Sequence, residues 1–125
     1  MTLQRLDHVY YWTRDMSRAV AFYRDVLGLE LARRSGDSWA EFRAGPGVFL
    51  ALHGAVEGRA VQPGGATAVF AVDDLDASIR TLEERGVRFD EEQAGEVAGF
   101  ARFASFTDPD GNTVQLIEYA QQGPA

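Results

Sequence analysis

The stretch LDHVYYWTRDMSRAVAFYRDVLGLEL, residues 6–31, joins a strand pattern directly to a helix pattern. Its first seven residues are rich in aromatic and β-branched side chains, which predicts a strand. Asp15 can accept the free N–H groups at a helix start, and Gly28 can adopt the left-handed conformation at the helix end. Between these caps, apolar residues follow helical spacing: Met16, Val20, Tyr23 and Leu27. The stretch therefore predicts a strand followed by an amphipathic helix.

Three short strand patterns come after this helix. The segments LELARR, SWAEFRA and GVFLALHG, residues 29–34, 38–44 and 47–54, are separated by Ser-Gly-Asp and Gly-Pro-Gly turns. The first half of the chain is thus predicted to have the order β-α-β-β-β.

The second half repeats that order. The segment ATAVFAV, residues 66–72, predicts a strand, Asp74 caps the next helix, and Gly86 ends it. The helix carries an apolar stripe of Leu75, Ile79 and Leu82. Three more strands follow in VRFDEEQ, GFARFASF and TVQLIEY, residues 87–93, 99–106 and 113–119, the last of them entered through the turn Asp-Pro-Asp-Gly.

The two halves superpose with two different offsets. Aligning the helix caps Asp15 and Asp74 gives an offset of 59, whereas aligning the last strands, GVFLALH on NTVQLIE, gives 65. We assign the difference to a longer loop around Gln93–Gly99. The sequence therefore predicts an α+β fold of two paired βαβββ modules that form an open, U-shaped sheet around a cleft. Module one spans about 4–54, the linker about 55–65 and module two about 66–120.

A generic α+β sandwich, in which two amphipathic helices share a spacing by coincidence, is the alternative. Helix spacing alone does not exclude it. Caps, turns and last strands agree in the same order, which favours the repeat.

Composition excludes several classes of function. A net charge of −7 over 125 residues argues against a nucleic-acid or anionic-membrane partner. The absence of cysteine excludes disulfides, thiolate nucleophiles and Cys-ligated zinc. No apolar run approaches the ~20 residues of a membrane span, and the first residues do not resemble a signal peptide. We expect a cytoplasmic protein.

The chain has two histidines, His8 and His53, on the first and last strands of module one. The offset of 65 places His53 over Glu118, and the offset of 59 places His8 over Thr67. If the first and last strands of each module line one concave sheet, His8, His53 and Glu118 converge on a site suited to a divalent metal. A histidine in an apolar strand is more often a core or rim residue, and Glu118 can instead pair with an arginine.

The segments LDHVYYWTRDMSRAVAFYRDVLGLEL and FTDPDGNTVQLIEY resemble the vicinal oxygen chelate superfamily, which includes glyoxalase I, bleomycin-resistance proteins, fosfomycin-resistance enzymes and extradiol dioxygenases. The resemblance covers nearly the whole chain. It implies paired βαβββ modules, commonly in a homodimer, with metal ligands from the first and last strands of each module. Carried over by position, these are His8, His53, Thr67 and Glu118, of which Thr67 departs from the family pattern.

The resemblance implies two hypotheses from different classes. The first is a metal-dependent lyase, isomerase or dioxygenase that chelates a small oxygenated substrate, with His8, His53 and the catalytic Glu118 holding Zn, Ni, Mn or Fe. The second is a metal-free, bleomycin-resistance-like protein that sequesters a small aromatic compound. A weaker third hypothesis is a structural or regulatory dimer with a vestigial cleft. The predicted substrate pocket is lined by Tyr10, Trp12, Trp39, Thr67, Arg102 and Phe103. In the second hypothesis, aromatic walls are built by Tyr10, Trp12, Trp39, Phe100 and Phe103.

Assembly is predicted as well. We expect a homodimer in which His8 and His53 of one chain face Glu118 of the other, with pairing inside one chain as the alternative. The expected partner is a small-molecule ligand or substrate, without nucleic acid or membrane.

Overall fold

The computed structural model describes residues 1–2, 4–56 and 61–120. The chain divides into two compact units, of which the first ends at Pro63 and the second begins at Gly64. Residues 57–60 of the predicted linker lie outside the described residues. The predicted module bounds, 4–54 and 66–120, stay a prediction.

The first unit has the predicted order β-α-β-β-β. Its elements are β1 His8–Thr13, α1 Met16–Ala21, a π-helical turn Phe22–Val26, β2 Leu31–Ser35, β3 Trp39–Gly45 and β4 Val48–Gly54. The strands form one sheet in the order β1-β4-β3-β2, in which β1 and β4 run parallel and the other pairs antiparallel.

The helix of the first unit begins where the sequence predicts it. The Asp15 side chain accepts a hydrogen bond from the Arg18 N–H, and Gly28 takes a φ of 77° just after the helix. From Phe22 onward the helix widens into a π turn, closed by the bond from Leu27 N to Phe22 O. The buried face of helix and turn packs on β3 and β4 and consists of Met16, Ala19, Val20 and Tyr23.

The second unit repeats the same topology. Its elements are β5 Ala68–Ala71, α2 Leu75–Glu84, β6 Asp90–Val97, β7 Ala101–Thr107 and β8 Thr113–Tyr119. The sheet order is β5-β8-β7-β6, and again the first and last strands of the unit pair in parallel. Two βαβββ modules are therefore confirmed. The loop predicted at Gln93–Gly99 is wrong, because strand β6 continues to Val97 and absorbs extra residues at a register shift between Asp90 and Gly95.

The turn before β8 is held by one buried carboxylate. Asp108 Oδ1 accepts hydrogen bonds from the N–H groups of Asp110 and Asn112, and its Oδ2 accepts one from the Asn112 side-chain amide. Gly111 has a φ of 88°, as the Asp-Pro-Asp-Gly pattern requires. This turn fixes the residue at which β8 begins.

Strand pairing corrects the alignment of the two modules. Val9 pairs with Leu50 in the first sheet, and Ala68 pairs with Val114 in the second. With the offset of 59 between the helix caps Asp15 and Asp74 kept for the first strands, these pairs place the last strands 64 residues apart and not 65. Because alternate residues of a strand point to opposite faces, this slip of one residue moves each inferred partner to the other face of the sheet. His53 corresponds to Ile117, and Glu118 corresponds to Gly54.

None of the helices in the described part of the chain is long and apolar enough to cross a membrane.

Candidate functional site

The predicted site residues divide between the two units. Those in the first unit share the face of its sheet opposite α1 and are His8, Tyr10, Trp12, Trp39 and His53. Those in the second unit are Thr67, Arg102, Phe103 and Glu118.

In the first unit, strand alternation and register bring five rings together. His8, Tyr10 and Trp12 are alternate residues of β1, and Trp12 pairs with His53, which in turn pairs with Trp39. Neighbouring ring centroids lie between 4.0 and 6.1 Å apart, the range in which aromatic rings attract each other. We call these five side chains the aromatic platform.

Trp39 lies beside both histidines. Its ring centroid is 5.5 Å from that of His8 and 5.7 Å from that of His53, in edge-to-face contacts. Its indole N–H donates to Glu41 Oε1 at 2.8 Å, and Arg33 forms an ion pair with the same oxygen at 2.7 Å. Glu41 was not among the predicted residues, although its position two residues after Trp39 on the same face is a signal for it. The carboxylate fixes the orientation of the indole.

Tyr10 is the most accessible ring of the platform. The residue is 46% exposed, and its ring centroid lies 5.7 Å from that of Trp39 and 5.8 Å from that of His53. Ala51, which pairs with Tyr10 across the sheet, is fully buried. The platform therefore stands on a packed sheet, and neighbouring rings in it are inclined to one another by 33° to 90°.

The two histidines of the platform are well separated along the sheet. His8 pairs with Phe49, which precedes His53 by four residues in β4, so their backbones are about 13 Å apart along the sheet. A shared metal ion would need one nitrogen of each imidazole within ~2.1 Å of it. In the described ranges, residues 1–2, 4–56 and 61–120, no group of three or more His, Asp or Glu side chains is placed to hold a metal ion. The metal role of His8, His53 and Glu118 stays a prediction.

In the second unit, Glu118 lies at the start of α2. Its Oε1 accepts a hydrogen bond from the Leu75 N–H at 2.8 Å, and Asp74 accepts one from Ala77 N–H. The two carboxylates thus satisfy two of the free N–H groups at the helix N-terminus, where negative charge is also favoured by the helix dipole. Glu118 follows the buried Val114 and Leu116 on the same face of β8. Its contact with the helix explains why a carboxylate ends this apolar row.

Arg102 faces the same helix. It pairs with Glu118 across β7 and β8, and its guanidinium binds the Asp76 carboxylate at 2.7 Å. This hydrogen bond lowers the pKa of Asp76 and raises the pKa of Arg102. The Glu118 carboxylate is 3.9 Å from Arg102, a longer contact. Arg102 therefore ties α2 to the sheet.

The remaining two predicted residues are on the opposite face of the second sheet or outside it. Phe103 pairs with Ile117 and packs close to Gly95. Thr67 is exposed and precedes β5. A small pocket of about 140 Å³ at the edge of this unit is lined by residues including Phe100, Arg102 and Glu118. It is smaller than a typical ligand pocket of ~300 Å³ or more.

We expect Glu118→Ala to lower the free energy of unfolding by about 1 kcal/mol, because Leu75 N–H loses its acceptor. Glu118→Gln keeps an acceptor oxygen and loses only the charge, so its cost is a few tenths of a kcal/mol. Urea unfolding of both variants measures the difference. Equal stability of Glu118→Ala and the native protein would contradict the capping role.

Comparison with known proteins agrees with this architecture. The model of the Glyoxalase/Bleomycin resistance protein/Dioxygenase superfamily matches residues 5–116. The chain belongs to this superfamily. The resemblance predicted from the sequence is thereby confirmed.

Similar proteins include one described as an enzyme and one described as a binding protein. The chain is 29% identical over 126 residues to the uncharacterized protein YaeR of Escherichia coli K12, covering 93% of this chain and 97% of that one. It is 29% identical over 130 residues to the lactoylglutathione lyase of Salmonella typhimurium LT2, covering 95% and 96%. The crystal structure of TnmS3, an antibiotic binding protein from Streptomyces sp. CB03234, is 26% identical with a TM-score of 0.77, covering 96% and 99%.

Proposed function

We propose that this superfamily member binds a small planar aromatic compound on the aromatic platform and needs no metal to do so. The observation that carries the proposal is the platform itself, five rings on the sheet face opposite α1, each of which contacts at least two of the others. Flat aromatic ligands gain roughly 1–3 kcal/mol from each ring on which they stack. The resemblance to TnmS3, described as an antibiotic binding protein, supports the same class of function.

The contacts of Trp39 suit it to be the main stacking surface. Its orientation is fixed by Glu41, so little side-chain entropy is lost when a ligand stacks on it. Tyr10 supplies a second, more exposed aromatic side chain. Contacts of a ligand with both side chains, together with one hydrogen bond, correspond to a Kd of the order of 0.1 mM.

The test is tryptophan fluorescence of the purified protein titrated with 2,6-dihydroxynaphthalene, with and without EDTA. We expect saturable quenching with a Kd that EDTA leaves unchanged, because Trp12 and Trp39 both lie in the platform. Elemental analysis of the same untagged sample accompanies the titration. Quenching that disappears with EDTA and returns with added metal would contradict the proposal.

A metal-dependent enzyme of the chelating type is the second candidate function. The observation in its favour is that His8 and His53 share one face of the first sheet, and the similarity to the Salmonella lactoylglutathione lyase points the same way. A bound divalent ion would polarise substrate oxygens. It predicts stoichiometric metal in the purified protein that is lost in His8→Ala and in Glu118→Ala.

The homodimer and the cytoplasmic location stay predictions. Light scattering at micromolar concentration measures the first, and cell fractionation measures the second.

A further inference from the structure

The small pocket of the second unit is separate from the aromatic platform in residues and in chemistry. It is lined by the end of β6, the turn into β7, the start of β7 and the end of β8, all within that unit. Its volume of about 140 Å³ compares with the ~150 Å³ of an engineered protein cavity that holds benzene. The pocket therefore has room for a molecule of about five or six non-hydrogen atoms.

The apolar wall of the pocket is held in place by the fold. Gly99 takes a φ of 74° in the turn between β6 and β7, and the Phe100 N–H donates to Val97 O at 2.8 Å. The Phe100 oxygen in turn accepts from the Ala120 N–H. The Phe100 ring also contacts the Tyr119 ring edge to face, with 5.5 Å between centroids. The wall is thus formed before any ligand binds.

The charges of the pocket lie in one row across three strands. Glu96 pairs with Arg102, and Arg102 pairs with Glu118. The Arg102 guanidinium donates two hydrogen bonds to the Asp76 carboxylate, at 2.7 and 3.4 Å, and Asp76 lies outside the lining. Because Asp76 compensates the one cation, the two glutamates leave the pocket with an excess of negative charge.

Both glutamates have oxygens available for a donor. Glu118 Oε1 accepts from the Leu75 N–H, whereas its Oε2 lies 3.9 Å from Arg102 Nη1, beyond hydrogen-bond distance. The Glu96 side chain is exposed and has no hydrogen bond or ion pair within residues 1–2, 4–56 and 61–120. The Glu118 side chain is only 27% exposed, so its charge is less screened by water than that of a surface glutamate.

We propose that this pocket binds a small primary ammonium ion that carries a short hydrocarbon chain. The ammonium group donates hydrogen bonds to the carboxylates of Glu118 and Glu96, and the chain lies against the Phe100 ring. The same carboxylates repel an anion, and a neutral molecule of the same shape lacks the charge-assisted hydrogen bonds. This site is independent of ligand binding on the aromatic platform.

The test is an NMR titration of the full, 15N-labelled chain at pH 7 with n-butylammonium chloride. The ion has five non-hydrogen atoms and is protonated at this pH, as a lysine side chain is. We expect saturable shifts of the amide signals of Gly99, Phe100 and Ala101, with a Kd of about 5 mM. 1-Butanol has the same size and no charge, and it should bind about tenfold more weakly.

Two substitutions on β6 separate the pocket from the general charge of the protein. Glu96→Gln keeps the shape of the side chain and removes its charge, so butylammonium binding should weaken about threefold. Glu92→Gln is the matched control, because Glu92 is also an exposed glutamate of β6 but does not line the pocket. It should leave the Kd unchanged. Glu118→Gln, which keeps an acceptor for the Leu75 N–H, should weaken binding about fivefold.

Three results would overturn the proposal. The first is equal affinity for butylammonium and butanol. The second is equal weakening by Glu96→Gln and Glu92→Gln, since the ion would then be attracted only by the net negative charge of the chain. The third is the absence of shifts at Gly99, Phe100 and Ala101. None of these results bears on the platform, whose binding is measured by tryptophan fluorescence, and both tryptophans belong to the first unit.

Discussion

Replacing Trp39 with leucine should weaken binding of 2,6-dihydroxynaphthalene about tenfold or more. The indole contacts three other rings of the platform, those of His8, Tyr10 and His53, and is held in place by Glu41. Its removal costs one stacking contact of roughly 2 kcal/mol and frees its neighbours to move. Calorimetric titration of the native and variant proteins measures the ratio of the two Kd values.

Trp39→Phe is the matched control for this substitution. It keeps an aromatic ring and loses only the indole N–H and part of the area, so we expect a two- to threefold loss, about 0.5 kcal/mol. Circular dichroism melting of both variants separates a loss of binding from a loss of folding. A Trp39→Leu protein that folds and binds the diol as tightly as the native protein would show that the platform is not the binding surface.

Replacing Gly54 with alanine should destabilise the first unit by about 2 kcal/mol, which lowers the Tm by about 8 °C. A Cβ at this position would overlap the backbone oxygen of Asp37 and crowd the Cα of Ser38. Both belong to the turn between β2 and β3, and Gly54 N–H donates to Ser38 O across the same contact. Because backbone cannot move aside as a side-chain tip can, the turn must shift. Thermal unfolding followed by circular dichroism measures the change in Tm.

Gly95→Ala provides the control for Gly54→Ala. A Cβ at Gly95 would meet only the far end of the Phe103 ring, at 3.0 Å, and that side chain can rotate away. We expect a change in Tm of less than about 3 °C. If Gly54→Ala and Gly95→Ala melt at the same temperature, close backbone contact does not explain the glycine at 54.

The roles of Gly54 and Glu118 could not be predicted from the sequence. Both occupy the same place in their modules, the end of the last strand on the helix-facing side. In the first unit the β2–β3 turn fills that space and only glycine fits, whereas in the second unit the carboxylate reaches the first N–H of α2. The prediction that Glu118 matches His53 came from an alignment that was one residue off. The sequence pattern at these positions does not distinguish an offset of 64 from 65, since each places some apolar residues over polar ones.

Local signals predicted the order of the elements and the helix caps, but not the π turn after α1 or the extent of β6. The caps Asp15 and Asp74 accept hydrogen bonds from their helices as predicted, and the glycines at 28 and 86 take the left-handed conformation. The same signals predicted that His8, Tyr10 and Trp12 share a face, because they are alternate residues of one strand. Interactions within a few residues of each other determine all of these features.

The amino-acid sequence by itself determined the duplicated βαβββ order, the helix caps, the turn at Asp108 and the alternation of residues along each strand. Only the tertiary structure decided which strand residue lies opposite which, and so brought Trp12, His53 and Trp39 into one row and turned Glu118 toward α2. The physical reason is that caps, turns and alternation depend on neighbouring residues, whereas strand register depends on hydrogen bonds between segments distant in the chain. With a side-chain period of two, one residue of register decides which face a side chain occupies.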